Sequence, residues 1–374
     1  MKVVHIITGL NQGGAESALF RLVTYSKSDS ILNIVVSITD VGVYGNRLRA
    51  EGIEVFVLDM PRRIITIKGI RLLWGILKSQ KPDVVQTWMY HADLIGGVVA
   101  KIVGVKKIFW GVVNFNLDNE ITPLTTRITA KLCARLSGIV PNIIISCSER
   151  AIGVHRKLGY KDKFVVIPLG FDLSKYSFDL ASRISMRRQW NLSHEDVVIG
   201  CVARWDPQKD HKNLINAFAI VSMEYPEITC VLVGPKMNLQ NKELVNLIKK
   251  SYGDGNRIIT SGVSENISET MNALDLHILP SLGEAFPNVV AEAMACGTPN
   301  VVTDVGDACI IVGNTGWVVP PGNSFQLASA IINAISNLND SAEWQQRKVA
   351  CRNRISENYS MEKMKENYLS AWSN

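Results

Sequence analysis

The sequence predicts an α/β protein of two doubly wound domains, each built on an all-parallel sheet. Three observations carry this reading. Short, wholly apolar runs alternate with helical patterns along most of the chain, and strands without a polar face belong to parallel sheets covered on both sides. The alternation halts once, at "KFVVIPLGFDLSKYSF", where Pro168 and Gly170 break it, and then restarts. The 374 residues also exceed what one compact core usually holds.

In the first half the strand candidates are "KVVHII", "NIVVSI", "EVFVLD", "DVVQTW", "KIFWGVV" and "NIIISCS". Between them lie the helical patterns "AESALFRLVTYS", "IKGIRLLWGILKSQ" and "DLIGGVVAKIVG". After the linker come strands "VVIGCVAR", "TCVLVGP", "RIITSG", "LHILPS", "NVVTD" and "WVVPPG". Helices "NLINAFAIVSMEYP", "KELVNLIKKSYG", "ISETMNALD", "NVVAEAMACG" and "SFQLASAIINAISNLN" accompany them. The expected domains are residues 1–171 and 172–355, with an amphipathic helix, 356–374, returning to the first. Two such sheets facing each other would leave a cleft at the carboxyl ends of their strands, where ligands bind open parallel sheets.

Composition excludes several classes. Apolar residues make up 47% and charged residues 20%, as in ordinary globular domains. The longest apolar window, "LIGGVVAKIVGVKKIFWGVV", is broken by Lys101, Lys106 and Lys107, and "MKVVHIITGL" reads as a first strand rather than a signal peptide. Seven cysteines without a C-x-x-C pair argue for reduced thiols in a cytoplasmic protein and against a zinc site. The net charge of +6 is divided: residues 1–175 carry 23 Lys+Arg against 13 Asp+Glu, residues 176–374 carry 17 against 21. One half thus faces an anionic partner. The stretches "PRRIITIKGIRLLWGILKSQK" and "TRITAKLCARLSG" mix Arg62, Arg63, Lys68, Arg71, Lys78 and Lys81 with Ile, Leu and Trp74, which suits an anionic bilayer surface. No nucleic-acid recognition motif accompanies them.

The most informative segment is "SLGEAFPNVVAEAMACG". Pro287 suits the start of a helix, whose first free N–H groups, on Asn288 and Val289, would favour an anion such as a diphosphate. Glu284 and Glu292, eight positions apart, would repel that anion but accept hydrogen bonds from hydroxyls on either side of it. A nucleotide-sugar fits, with Glu284 towards the sugar and Glu292 towards the ribose. "CVARWDPQKDH" places Arg204 and Lys209 in a loop after a strand, where fixed positive charge suits a diphosphate leaving group, with Asp206, Asp210 and His211 available to orient the cations. "TGLNQGGAES" lets backbone approach a ligand at Gly13 and Gly14, with Glu16 opening a helix; it is not the dinucleotide fingerprint. His91 follows a buried strand and precedes a helix. Singly, the glycines read as a tight turn and the histidine as a packed side chain.

Together these residues resemble the family 4 glycosyltransferases of the GT-B fold, over nearly the whole chain. The resemblance rests on "GGAE", "PDVVQTWMYHADLIG", "IPLGFD", "VARWDPQKDH", "PSLGEAFPNVVAEAMACGTPNVVTDVGD" and "TGWVVPPGN". It implies retaining transfer of a sugar from a nucleotide-sugar, commonly a UDP-sugar, to an acceptor hydroxyl, without metal or other cofactor. It implies that Arg204 and Lys209 hold the diphosphate, that Glu284 contacts donor-sugar hydroxyls and that Glu292 contacts the ribose. Gly13, Gly14 and Glu16 would lie near phosphate and acceptor, His91 near the donor sugar, and Phe286 and Pro287 beside the sugar. Asn288 and Val289 would offer phosphate-facing amides. The front-side mechanism expected for such enzymes needs no protein nucleophile.

Two positions depart from the family pattern. Ala285 stands where glycine is commonest, and Asp307 where many members have a second glycine. The expected function is assembly of a surface polysaccharide or lipopolysaccharide from a glycan or lipid-linked acceptor at the inner face of the cell membrane. A nucleotide-sugar epimerase and a non-catalytic sugar-nucleotide scaffold are the alternatives.

Overall fold

The computed structural model describes residues 1–373 apart from 12, 29–30, 63, 113–121 and 254–255; Arg63 of the basic stretch lies outside the described residues. The chain divides into two compact units, Met1–Gly170 with Met361–Asn374, and Phe171–Ser360.

The first unit alternates strand and helix. Its elements are β1 (Lys2–Ile7), α1 (Gly14–Tyr25), β2 (Leu32–Ser37), α2 (Gly42–Ala50), β3 (Glu54–Val57), α3 (Ile67–Gln80) and β4 (Val84–Trp88). They continue as α4 (Tyr90–Val103), β5 (Lys107–Val112), α5 (Leu124–Leu136), β6 (Ile143–Ser146), α6 (Glu149–Leu158) and β7 (Phe164–Val166). All pairings are parallel, in the order β3-β2-β1-β4-β5-β6-β7. Phe164–Val166, expected in the linker, instead extends this sheet at its edge against Ile144–Ser146. Three residues followed by Pro168 are too short a run to announce a strand.

The second unit holds α7 (Leu180–Gln189), β8 (Val198–Val202), α8 (His211–Glu224), β9 (Thr229–Val233), α9 (Lys242–Tyr252), β10 (Ile258–Gly262) and α10 (Ile267–Ala273). Then come β11 (Leu276–Leu279), α11 (Asn288–Ala295), β12 (Asn300–Thr303), α12 (Ala308–Val312), β13 (Trp317–Val319), α13 (Ser324–Leu338) and α14 (Ser341–Asn358). Its parallel sheet runs β10-β9-β8-β11-β12-β13. Helix α7 has no clear apolar stripe, which is why sequence periodicity misses it. It is held by tertiary contacts: the buried Arg187 guanidinium donates to the carbonyls of Ala273, His194 and Asp196 and to Asp275, which Arg183 also pairs.

The last helix, α15 (Met361–Ser373), belongs to the first unit. Trp372 Nε1 donates to Gln86 Oε1, Lys107 Nζ donates to the carbonyls of Trp372 and Ser373, and Tyr368 stacks on Trp88. In both sheets the central strands are buried on both faces, as "VVHII" and "VIGCV" require. Each core also buries a histidine against an asparagine: His5 Nε2 lies 3.0 Å from Asn33 Oδ1, and His277 Nδ1 lies 2.7 Å from Asn300 Oδ1. Both sheets reverse strand order once, between β1 and β4 and between β8 and β11. Ligands bind doubly wound sheets at the carboxyl side of such reversals.

Candidate functional site

In the second unit, the loop leaving β8 is shaped before any ligand is considered. The β8–β9 ladder continues past its formal end through Ala203 N to Val233 O and Trp205 N to Pro235 O. Gly234, at φ +140°, lies flush against Ala203, where a Cβ would overlap the carbonyl. Asp206 then accepts from Gln208 N at 2.9 Å and from Arg204 Nε at 3.0 Å, which folds the 3₁₀ turn Pro207–Lys209. Asp210, at φ +42°, caps α8 by accepting from Asn213 N. Asp206 therefore orients Arg204, whereas Asp210 serves the helix. His211 is buried against the Trp205 ring, and burial, with Lys209 nearby, lowers its pKa to about 4. It is neutral at pH 7 and supplies no charge.

This turn delivers Lys209 to Glu284. Nζ lies 2.5 Å from Oε1, with the side chains 18% and 12% exposed, and Ser281 Oγ donates to the same oxygen at 2.7 Å. Leu282 N, bonded to Gln208 O at 2.8 Å, ties the two loops together. Below them, Gly306 at φ +49° allows the turn after β12 to touch the Glu284 and Ala285 carbonyls, and Asp307 N donates to Ala285 O at 2.9 Å. One glycine thus suffices for the close approach; Asp307 is buried in support of it. Ala285 does not lie at positive φ, so its methyl meets no backbone strain.

Pro287 is the N-cap of α11, preceding rather than entering the helix. No side chain caps α11, and the same holds for α1 on Gly13 and α4 on Met89. The first-turn N–H groups of these three helices, Asn288 and Val289 among them, are left to a ligand or to water. Glu292, one turn further, accepts from Tyr176 Oη at 3.3 Å. Phe286, expected beside a ligand, has its ring in an aromatic cluster: stacked on Phe171 at 6.3 Å and edge-on to Tyr359 at 5.7 Å. Its ring anchors the loop, and what remains to face a ligand there is backbone.

The first unit carries its own pocket, of about 260 Å³, at the reversal between β1 and β4. Glu16, third residue of α1, folds back over Gly13, whose lack of a side chain leaves room for the carboxylate. Burial raises the Glu16 pKa, and nearby Asp40 adds to the rise. Asn11 Nδ2 donates to both Asp40 oxygens, at 2.8 and 2.9 Å. Thr8 Oγ1 is buried with no protein partner at the pocket wall. His91, expected before a helix, is the second residue of α4, which begins at Tyr90 directly after Met89. Met89 is at φ 71°, ψ 154°, a strained region for a residue with a side chain, and both Met89 and His91 line the pocket. Gly14, first residue of α1, sits beside Gly13.

The coordinates therefore bring Lys209, Glu284 and Ser281 into contact, hold Arg204 in the same loop through Asp206, and place Glu16 and His91 in one pocket. Sequence reasoning missed Tyr176, Ser281, Thr8, the Asn11–Asp40 pair and the pocket position of Arg62. Tyr176 lies in the linker, 116 residues from its carboxylate partner, where no local pattern could mark it. Among the described residues, no group of three His, Cys, Asp or Glu side chains could hold a metal, and no helix is long and apolar enough to cross a membrane.

Comparison with known proteins bears on the family and the fold. Residues 182–349 match the family "Glycosyl transferases group 1". The Escherichia coli UDP-Gal:α-D-GlcNAc-diphosphoundecaprenol α-1,3-galactosyltransferase is 26% identical over 337 residues, 84% of this chain and 83% of the relative. The Campylobacter jejuni N,N'-diacetylbacillosaminyl-diphospho-undecaprenol α-1,3-N-acetylgalactosaminyltransferase is 24% identical over 80% and 81% of the two chains. Among solved structures, Anabaena Alr3699/HepE in complex with UDP superposes with a TM-score of 0.85 at 22% identity, covering 100% of both chains.

Proposed function

This chain is a glycosyltransferase of the GT-B fold, and we propose that it transfers a hexose or N-acetylhexosamine, with retention, from a UDP-sugar to a hydroxyl of a lipid-linked or polysaccharide acceptor in cell-surface glycan assembly. The observation that carries this is the Lys209–Glu284–Ser281 contact beside the uncapped start of α11. It pairs a cation for a diphosphate with a carboxylate for sugar hydroxyls at one helix terminus.

In this reading the donor diphosphate sits on the Asn288 and Val289 amides, with Arg204 and Lys209 neutralising the charge that develops as it leaves. Glu284 accepts from sugar hydroxyls, Phe286 and Pro287 hold the loop at the sugar, and Glu292, oriented by Tyr176, accepts from the ribose. Glu16 binds the acceptor and His91 lies near the donor sugar, with Gly13 and Gly14 allowing close approach of backbone to phosphate and acceptor. The donor C1–O(phosphate) bond breaks as the C1–O(acceptor) bond forms on the same face, and the acceptor proton passes to the leaving phosphate. The protein's contribution is fixed charge and positioning, without a metal; removing one such charge typically lowers kcat about 10²–10³-fold.

The chain would work peripherally at the cytoplasmic face of the cell membrane. Helices α3 and α5 both pack on α4, and they expose Leu72 and Trp74 and Leu124, Ile128 and Leu132, respectively. Lys68, Arg71 and Lys78 of α3 and Arg127, Lys131 and Arg135 of α5 accompany them, a composition that fits an anionic bilayer surface. A thermal-shift screen against UDP-, GDP- and ADP-sugars, followed by transfer to lipid extracts, tests the reading. Stabilisation by UDP-sugars and an α-linked product are expected; no binding at millimolar concentration would refute it.

A further inference from the structure

The first turn of α4 carries an aspartate that serves neither the helix nor the solvent. An acidic residue this close to a helix start ordinarily stays near water and the free N–H groups. Asp93 is instead fully buried, and its carboxyl turns to the strands. Oδ1 accepts from Thr87 Oγ1 of β4 at 2.5 Å and from Gly111 N of β5 at 3.3 Å, while Oδ2 is buried with no protein hydrogen-bond partner. An orphaned buried oxygen lowers stability, so packing alone does not account for an aspartate here. Burial raises the pKa of this carboxyl well above its ordinary value, so what the strands use is an acceptor and not a charge.

The bonds around Asp93 converge on Met89. Met89 N donates to Gly111 O at 2.9 Å, and Asp93 N donates to Met89 O at 2.9 Å. Gly111 N closes the circuit at Asp93 Oδ1, and a Cβ on Gly111 would overlap the Thr87 carbonyl. A residue with a side chain keeps a conformation such as Met89's φ of 71° only where its surroundings over-determine it. Tyr90 is anchored separately: its Oη donates to His155 Nε2 at 2.8 Å, because His155 Nδ1 is committed to the Ala151 carbonyl. Of the turn 90–93, His91 alone is not buried, and it lines the pocket. Resting on the function proposed above, we infer that Asp93 is a positioning residue for His91: its carboxyl ties the β4–α4 turn to β5, keeps Met89 in its strained conformation and so fixes where the His91 ring stands during transfer. Residues two apart on a helix do not face each other, so the influence passes through the backbone.

The test combines transfer kinetics with NMR of the full chain. Asp93→Ala should lower kcat about tenfold, with KM for the UDP-sugar and affinity for UDP within about twofold of the parent. Asp93→Asn keeps an acceptor for Thr87 and Gly111 and should stay within about threefold of the parent kcat. Added to His91→Ala, Asp93→Ala should cost nothing further, because it acts through that ring. The His91 backbone and ring resonances should move in Asp93→Ala and stay in place in Asp93→Asn. Should Asp93→Ala fail to fold, Thr87→Val, which removes one arm of the same tie, is read in the same way. The inference is overturned by an unchanged kcat below the unfolding transition, by a loss that adds in full to that of His91→Ala, by an Asn variant as impaired as the Ala variant, or by unmoved His91 resonances. A parent that transfers no sugar, or a fully active His91→Ala, would refute the function reading instead, and the His91 resonances would still decide whether Asp93 holds the turn.

Discussion

Lys209 and Glu284, 75 residues apart in sequence, meet at 2.5 Å in a setting that is mostly shielded from water. Each is the other's counter-ion, and the proposed function gives each a separate task, Lys209 at the diphosphate and Glu284 at the sugar hydroxyls. Lys209→Met leaves the Glu284 carboxylate partly buried and uncompensated, and should lower stability by about 1–3 kcal/mol. Glu284→Gln on that background should restore most of the stability in urea titrations while activity stays down by at least about 10²-fold. If activity returned with stability, the pair would be a structural tie only.

Tyr176 should act through Glu292 on affinity alone. The 3.3 Å contact is long for a hydrogen bond to a carboxylate, so its loss should be modest. Tyr176→Phe is expected to weaken UDP binding about three- to tenfold and to raise KM with kcat unchanged. A fall in kcat at unchanged UDP affinity would place the hydroxyl elsewhere in the mechanism.

Gly306 and Gly159 make a controlled comparison of glycine roles. Both have positive φ, but a Cβ on Gly159 would touch nothing within 4 Å, whereas one on Gly306 would overlap the Glu284 and Ala285 carbonyls. Gly159→Ala should cost only the left-handed backbone penalty of roughly 1–2 kcal/mol. Gly306→Ala should cost more and should also displace Glu284, so transfer falls while UDP binding largely survives. Equal melting temperatures and equal activities in the two variants would contradict this.

Mild acid should destabilise the chain through its buried histidines. Burial lowers the pKa values of His5 and His277 to about 4, against 6.5 unperturbed. The unfolded chain therefore takes up these protons first, and stability present above pH 6.5 is lost as pH falls towards 4. Each histidine contributes of order 3 kcal/mol across that window. Urea midpoints should decline steadily from pH 6.5 to 4.5; a flat profile would show that these rings are protonated in the fold. Glu16 acts oppositely: its raised pKa makes ionisation costly, so Glu16→Gln should stabilise the protein at neutral pH while impairing acceptor use.

The architecture was legible because its signals are local. A strand buried on both faces must be apolar throughout, so "KVVHII" and "VIGCV" announce themselves, and the predicted helix Ile67–Gln80 agrees with the observed span. Two of the segments that escaped detection owe their form to distant partners: β7 to its pairing with β6, and α7 to Arg183 and Arg187 reaching Asp275.

For the site, the sequence by itself determined which residue types stand at the carboxyl ends of the strands, since turns and helix starts are written in glycine, proline and short polar runs. Only the tertiary structure decided what those side chains touch. It turned Phe286 inward to Phe171, gave Glu292 a tyrosine, joined Lys209 to Glu284, and set Arg62 in the lining of the Glu16 pocket. Such pairings join loops that are far apart along the chain, and their geometry follows from strand order and close backbone contacts, as at Gly306 and Gly234, which no neighbouring residue encodes.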